Sequence, residues 1–129
     1  MSRGLADTSL FIARESGRPI DIDALPDELA VSVITIGELR TGVLAADSVG
    51  VRDRRLATLT AVLSLDAVPI DQNVAETRAR LRVLLRDAGQ RMPVNDSWIA
   101  ATAMSLGVPV VTQDADYDVS VDGLDVVRV

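Results

Sequence analysis

Residues 93–118, PVNDSWIAATAMSLGVPVVTQDADYD, constrain what this chain can fold into more than any other stretch. Asp96 to Leu106 suits a short helix, Gly107 a tight turn, and Val108 to Thr112 a buried strand. Acids stand at both ends of this unit: Asp96 opens the helix, and Asp114, Asp116 and Asp118 follow the strand. Burying a carboxylate is costly unless a donor or a cation meets it. A packed core has no use for acids in these places, and a metal site does.

The rest of the chain alternates in the same way. Gly4 to Ala6 starts a short strand, and Leu10 to Ala13 opens a helix that Asp7 or Thr8 can cap. Gly17 to Asp27, with Gly17, Pro19 and Pro26, reads as loop, with a helical turn near Pro26 to Leu29. Ala30 to Ile34 is a β-branched strand. Thr35 then suits an N-cap, with Glu38 three residues on, as in a capping box. Asp47 to Gly50 is a turn, and Val51 to Leu65 is a periodic helix. Ala67 to Ile70 is a strand weakened by Pro69. Asp71 or Asn73 caps a long helix that runs to Ala88 and ends at Gly89. Leu124 to Val129 is the last strand. About five strands alternating with helices, in one domain over residues 1–129, imply an α/β sandwich with a mostly parallel central sheet.

Composition narrows the chemistry. The chain has no Cys and no His, and its 13 basic residues are all Arg. Thiol nucleophiles, Ser-His triads, the usual zinc sites, Schiff bases and Walker-type lysines are therefore excluded. Phosphoaspartate receivers and haloacid-dehalogenase-type phosphatases need a lysine further along, and the latter also an acid where Ser9 stands. Any catalysis must come from carboxylates, hydroxyls, Arg and a bound ion. Oxygen-only ligation points to Mg²⁺ or Mn²⁺. The net charge of −6 disfavours a nucleic-acid partner until the acids are placed. With five acids assigned to an ion, the other fourteen face thirteen arginines, a near balance. No secretory signal and no apolar run of membrane-spanning length is present, which implies a cytoplasmic protein that binds no membrane.

Ligands in open parallel sheets bind beyond the carboxyl ends of the strands. Asp7 follows the first strand and Asp114 the fourth; Glu38 lies just after the second, and Asp96 heads the helix leading to the fourth. Four acids distant in sequence can thus meet in one cleft, where cations must offset their repulsion. Each also has a plainer use: Asp7, Glu38 and Asp96 as caps or surface partners, Asp114, Asp116 and Asp118 as a solvated turn. Thr8, Ser97 and Thr112 adjoin the acids and could hold a carboxylate or a metal-bound water, or simply cap.

The motifs LADTSLFIA, VSVITIGELRTGV and PVNDSWIAATAMSLGVPVVTQDADYD, in this order and spacing, resemble a PIN domain, and more closely the VapC toxins of bacterial toxin–antitoxin pairs. The resemblance covers essentially the whole chain. It implies the three-layer α/β/α PIN sandwich and a metal-dependent endoribonuclease, with Asp7, Glu38, Asp96 and Asp114 as the acids and Asp116 as an auxiliary. It also implies Mg²⁺ or Mn²⁺, a homodimer, and neutralisation by a cognate VapB-type antitoxin. The family often ends the last motif with Asp-Phe, where this chain has Asp116-Tyr117; an aromatic there keeps the packing.

On this basis Asp7 and Asp96 are expected to hold the principal ion, with Glu38 and Asp114 completing its shell or activating water and Asp116 supporting them. RNA would be gripped by Arg40 beside the site, by Arg52, Arg54 and Arg55, or by the stripe Arg78, Arg82 and Arg86. The alternative is that these arginines pair with surface acids. A second reading keeps the fold as a catalytically inactive RNA- or antitoxin-binding module, and the intact set of acids argues against it.

Overall fold

The computed structural model describes all residues 1–129. Five strands, β1 (Arg3–Ala6), β2 (Glu28–Ser32), β3 (Ala67–Val68), β4 (Val110–Thr112) and β5 (Val126–Arg128), form one sheet in the order β3-β2-β1-β4-β5. Every pairing is parallel. Five helices connect them: α1 (Thr8–Ser16), α2 (Val33–Leu44), α3 (Val49–Val62), α4 (Gln72–Asp87) and α5 (Val94–Leu106). The chain winds outward from β1 through β2 to β3, then returns across the sheet to β4 on the other side of β1. The carboxyl ends of β1 and β4 therefore flank a switch point, where open α/β sheets form their crevice.

Strand alternation builds the layers. Leu5 pairs with Val110, and both join α4 and α5 in the largest core cluster, with Val74, Leu81, Leu85 and Ile99. The next pair in register, Ala6 and Val111, belongs to a cluster with Leu10 of α1. Val31 packs with Leu39 and Val43 of α2 and Leu59 and Val62 of α3. The core is aliphatic, as the composition requires, with Tyr117 its one fully buried aromatic.

Several boundaries differ from the sequence expectation. The second strand ends at Ser32, whose Oγ accepts from the Ile34 amide at 3.1 Å, so Ser32 rather than Thr35 caps α2. Ser48 caps α3 in the same way, starting it two residues before Val51. The turn expected near Pro26 lies earlier, as a 3-10 turn at Ile22–Ala24, because Glu28 already pairs with Arg3 in the sheet. β3 stops at Val68, ahead of Pro69, and β5 spans only Val126–Arg128. α4 is capped by Asp71, whose carboxylate accepts from the Val74 amide at 2.9 Å. Asp96 is not a cap: α5 starts at Val94 after Pro93, which places Asp96 in the first turn as its third residue. There its charge still faces the positive end of the helix. Gly107 ends α5 with φ 68°, the left-handed conformation that lets the chain turn at once toward β4.

Candidate metal centre

The switch point collects the acids. Ligand oxygens of Asp96, Asp114 and Asp116 lie within 4.8 Å of one another. Asp96 comes from the first turn of α5, and Asp114 from the residues just beyond β4. Asp116 comes from a 3-10 turn, Ala115–Tyr117, and not from an irregular solvated turn, the plainer alternative. Asp114 makes that turn: its Oδ1 accepts from the Asp116 amide at 2.9 Å. The structure thus joins Asp116, the weakest of the expected acids, to Asp96 and Asp114. Asp118, in contrast, is exposed and pairs with Arg128.

Asp7 and Glu38 adjoin this trio. The Asp96 carboxyl is pushed up to about 7, first by burial and then by the negative charges of Asp7, Asp114, Asp116 and Glu38. All four other acids therefore act on Asp96, the electrostatic centre of the group. A part-buried carboxyl among other negative charges is stabilised by a proton or a cation.

Hydroxyls hold the two flanking acids. Thr112 Oγ1 donates to Asp7 Oδ2 at 3.0 Å and accepts from the Asp114 amide at 2.8 Å. Its single proton being given to Asp7, Thr112 must accept from Ser9 Oγ, 3.1 Å away. On the other side, Thr8 Oγ1 donates to Glu38 Oε1 at 2.7 Å and so receives the Thr35 proton across 2.9 Å. Thr35, displaced from its expected cap, is buried and props Thr8 instead. Of the three hydroxyls that adjoin acids in sequence, Thr8 and Thr112 thus hold carboxylates. Ser97 does not: it donates to the Val94 carbonyl at 2.7 Å and accepts from Arg78 Nε at 2.9 Å.

One partner was missed from sequence. The Tyr117 hydroxyl donates to Asp7 Oδ1 at 2.9 Å. The Asp116-Tyr117 pair signalled an aromatic, and only the missing Phe could have hinted at a polar use. Asp7, 2% exposed, also accepts from the Ser9 amide at 3.2 Å as the N-cap of α1.

The donor set suits a hard divalent cation. It is all carboxylate oxygen, burial and neighbouring charge push its Asp96 carboxyl up to about 7, and Asp96, Asp114 and Asp116 are close enough to share one ion.

The arginines distribute unevenly. The ion pairs are Arg3–Glu28, Arg86–Asp87 and Arg128–Asp118, so Arg40, Arg52, Arg54, Arg55, Arg78 and Arg82 are in none. Arg78, Arg82, Arg86 and Arg91 line a groove of about 400 Å³ that reaches Ser97, the neighbour of Asp96, and no acid lines it. Arg78 lies 4.3 Å from the centroid of the Trp98 ring. Arg55 instead donates to the Gly42 carbonyl at 2.7 Å, beside Glu38 and Thr8 in a cleft of about 310 Å³. Arg40 and Arg52 are exposed on α2 and α3.

Known proteins place this arrangement. The family model described as PIN domain matches residues 5–120. The chain is 46% identical to Ribonuclease VapC5 of Mycobacterium tuberculosis, covering 98% of this chain and 95% of that protein. It is 47% identical to Ribonuclease VapC4 of the same organism, over 89% and 88% of the two chains. The crystal structure of VapBC-5, a member of the VapBC family of toxin-antitoxin systems from Mycobacterium tuberculosis, superposes with a TM-score of 0.92 at 41% identity over 100% of both chains.

Proposed function

The chain belongs to the PIN-domain family and within it to the VapC ribonucleases, and from that premise we propose that it is the toxin of a toxin–antitoxin pair, an endoribonuclease that hydrolyses RNA phosphodiester bonds with Mg²⁺ or Mn²⁺. One observation carries the metal requirement. The Asp96 carboxyl is raised to about 7 by burial and by four surrounding acids, a set that works fully ionised only around a cation. A divalent ion bound there supplies neutralisation of the scissile phosphate oxygens and a more acidic water.

The residues divide the work. Asp96, Asp114 and Asp116 are the converging ligands, and Asp7 closes the site from the end of β1. Glu38 has one oxygen held by Thr8, which fixes the carboxylate so that its other oxygen can orient the attacking water and take its proton. No His or Lys is needed, which agrees with a chain that has neither.

RNA is gripped by the groove of Arg78, Arg82, Arg86 and Arg91, which adjoins Asp96 and has no acid in its lining. Arg55, beside Glu38, and the exposed Arg40 and Arg52 are secondary contacts. A VapB-type antitoxin is the physiological inhibitor, an assignment supported by the toxin-antitoxin complex that the fold matches. Homodimerisation is supported by Val83 and Leu84, apolar and exposed on α4. No helix is long and apolar enough to cross a membrane, which fits action on cytoplasmic RNA.

The test is cleavage of structured RNA by the purified protein with Mn²⁺ against an EDTA control, alongside Asp7→Asn and Asp96→Asn. Cleavage only with the ion, and its loss in both folded variants, is the expected result. Full activity in EDTA or in either variant would overturn the assignment.

A further inference from the structure

The Tyr117 hydroxyl is committed to Asp7. The ring is 1% exposed, in the core cluster with Leu5, Val110 and the α4 and α5 side chains, so it cannot turn away. A carboxylate oxygen accepts, so the phenol hydroxyl is the donor of this bond. It reaches Asp7 across 110 positions of chain, at 2.9 Å.

An ionised carboxylate offers about four acceptor positions, two on each oxygen. At Asp7, Oδ2 accepts from Thr112 Oγ1 and from the Ser9 amide, and Oδ1 accepts from Tyr117. Only one position remains, on Oδ1. We propose that Tyr117 is a positioning residue of the nuclease site: with Oδ2 filled by Thr112 and Ser9, it takes one of the two positions on Oδ1 and fixes the one left over as the acceptor that Asp7 would offer a divalent ion. This rests on the ribonuclease function proposed above, and it gives the Asp-Tyr ending of the last motif a role that a Phe cannot fill.

The physical gain is pre-organisation. With Phe in place of Tyr117, Oδ1 would keep its burial and lose its only donor, and nothing would fix which side of that oxygen is offered to an ion. Partners that fix a ligand in this way typically contribute 10- to 100-fold in metal affinity or activity.

The experiment uses the full chain and two readouts besides cleavage. Mn²⁺ titration calorimetry of the unmodified protein and of Tyr117→Phe is expected to show affinity about tenfold weaker in the variant. The Mn²⁺ concentration for half-maximal RNA cleavage should rise by the same factor, with kcat at saturating Mn²⁺ changed far less. Because Tyr117 is the only tyrosine, biosynthetic 3-fluorotyrosine gives a single ¹⁹F resonance that reports on this ring without any substitution. Titration with diamagnetic Mg²⁺ should move that resonance. Equal Mn²⁺ affinities in the two proteins would overturn the proposal, even if Tyr117→Phe melts at a lower temperature, since that alone marks a packing role. Should the variant not fold, an unmoved ¹⁹F resonance at saturating Mg²⁺ would overturn it instead. An unmodified protein that binds Mn²⁺, with the Tyr117→Phe deficit, yet cuts no RNA would refute the ribonuclease function while leaving the Tyr117 effect on the ion standing.

Discussion

The Thr8 hydroxyl donates to Oε1 of Glu38 at 2.7 Å, tying the first turn of α1 to α2 across 30 positions of sequence. Thr35, fully buried, completes the chain of donors from behind. The relay holds Glu38 by one oxygen and leaves the other without a hydrogen-bond partner. Thr8→Val is therefore expected to lower kcat about tenfold or more by releasing Glu38. It should also reduce stability by about 1–3 kcal/mol, because the Thr35 hydroxyl loses its acceptor. Thr8→Ser keeps the hydroxyl and should restore kcat; single-turnover cleavage of the three proteins checks this, and a fully active Thr8→Val would remove Glu38 orientation from the mechanism.

Asp96 makes the ion-free protein pH-sensitive. Its carboxyl titrates near 7 in the folded state against 3.8 ordinarily, so between these values the folded chain keeps a proton that the unfolded chain has lost. Stability must then fall as pH rises through that window and level off above about 7. For a half-buried group screened by solvent the loss is on the order of 1 kcal/mol, roughly a few degrees in Tm. Thermal melts in EDTA from pH 4.5 to 8 should show this decline, Mg²⁺ should reverse it most at the alkaline end, and Asp96→Asn should flatten it. A Tm that rises steadily over the same range would contradict the placement of Asp96 among the other acids.

The arginine groove predicts a salt dependence. Each phosphate contact removed from a single-stranded RNA complex should lower the slope of log K against log salt by about 0.7. Arg82→Ala with Arg91→Ala should weaken RNA binding and flatten the slope by about twice that amount, whereas Arg3→Ala, at the amino end of β1 and so at the sheet edge opposite the acids, should change it little. Fluorescence anisotropy at several salt concentrations, with EDTA present so that no RNA is cut, distinguishes the two. Equal slopes would move the RNA path away from α4.

Gly4 is fixed by space. A Cβ there would meet Val111 Cγ2 at 2.7 Å and Pro26 Cγ at 2.9 Å. Gly4→Ala forces β1 away from β4 or displaces the Pro26 loop, with an expected loss of about 1–3 kcal/mol. Because β1 carries Asp7 and β4 leads to Asp114, Mn²⁺ affinity should fall with it. Chemical denaturation and Mn²⁺ titration of the variant check both effects, and an unchanged midpoint would show that the loop yields freely.

Much of the fold was legible because it is local. The fourth strand, the apolar period of α4 and the glycine after α5 each follow from neighbours a few residues apart, although the strand expected from Val108 starts only at Val110, after Pro109. Boundaries were less so. Ser32 and Thr35 are equally able to cap a helix, and the choice fell to Ser32 because β2 must end in register with β1 and β3. The short run before Asp96 hid the true start of α5, since Val94 and Asn95 carry no strong helix signal.

What the sequence by itself determined is the class of chemistry and the list of candidates. A chain without Cys, His or Lys, with acids after its apolar strands, has oxygen ligands and little else to work with. Tertiary structure decided which of those acids meet. Asp7 reaches Thr112 and Tyr117 across 105 and 110 positions only because the returning chain lays β4 beside β1. The 3-10 turn then carries Asp116 into range of Asp96 and swings Tyr117 into the core. Charge repulsion, ion binding and hydrogen bonding all depend on separations of a few ångströms, and such distances are set by packing between elements rather than by order along the chain.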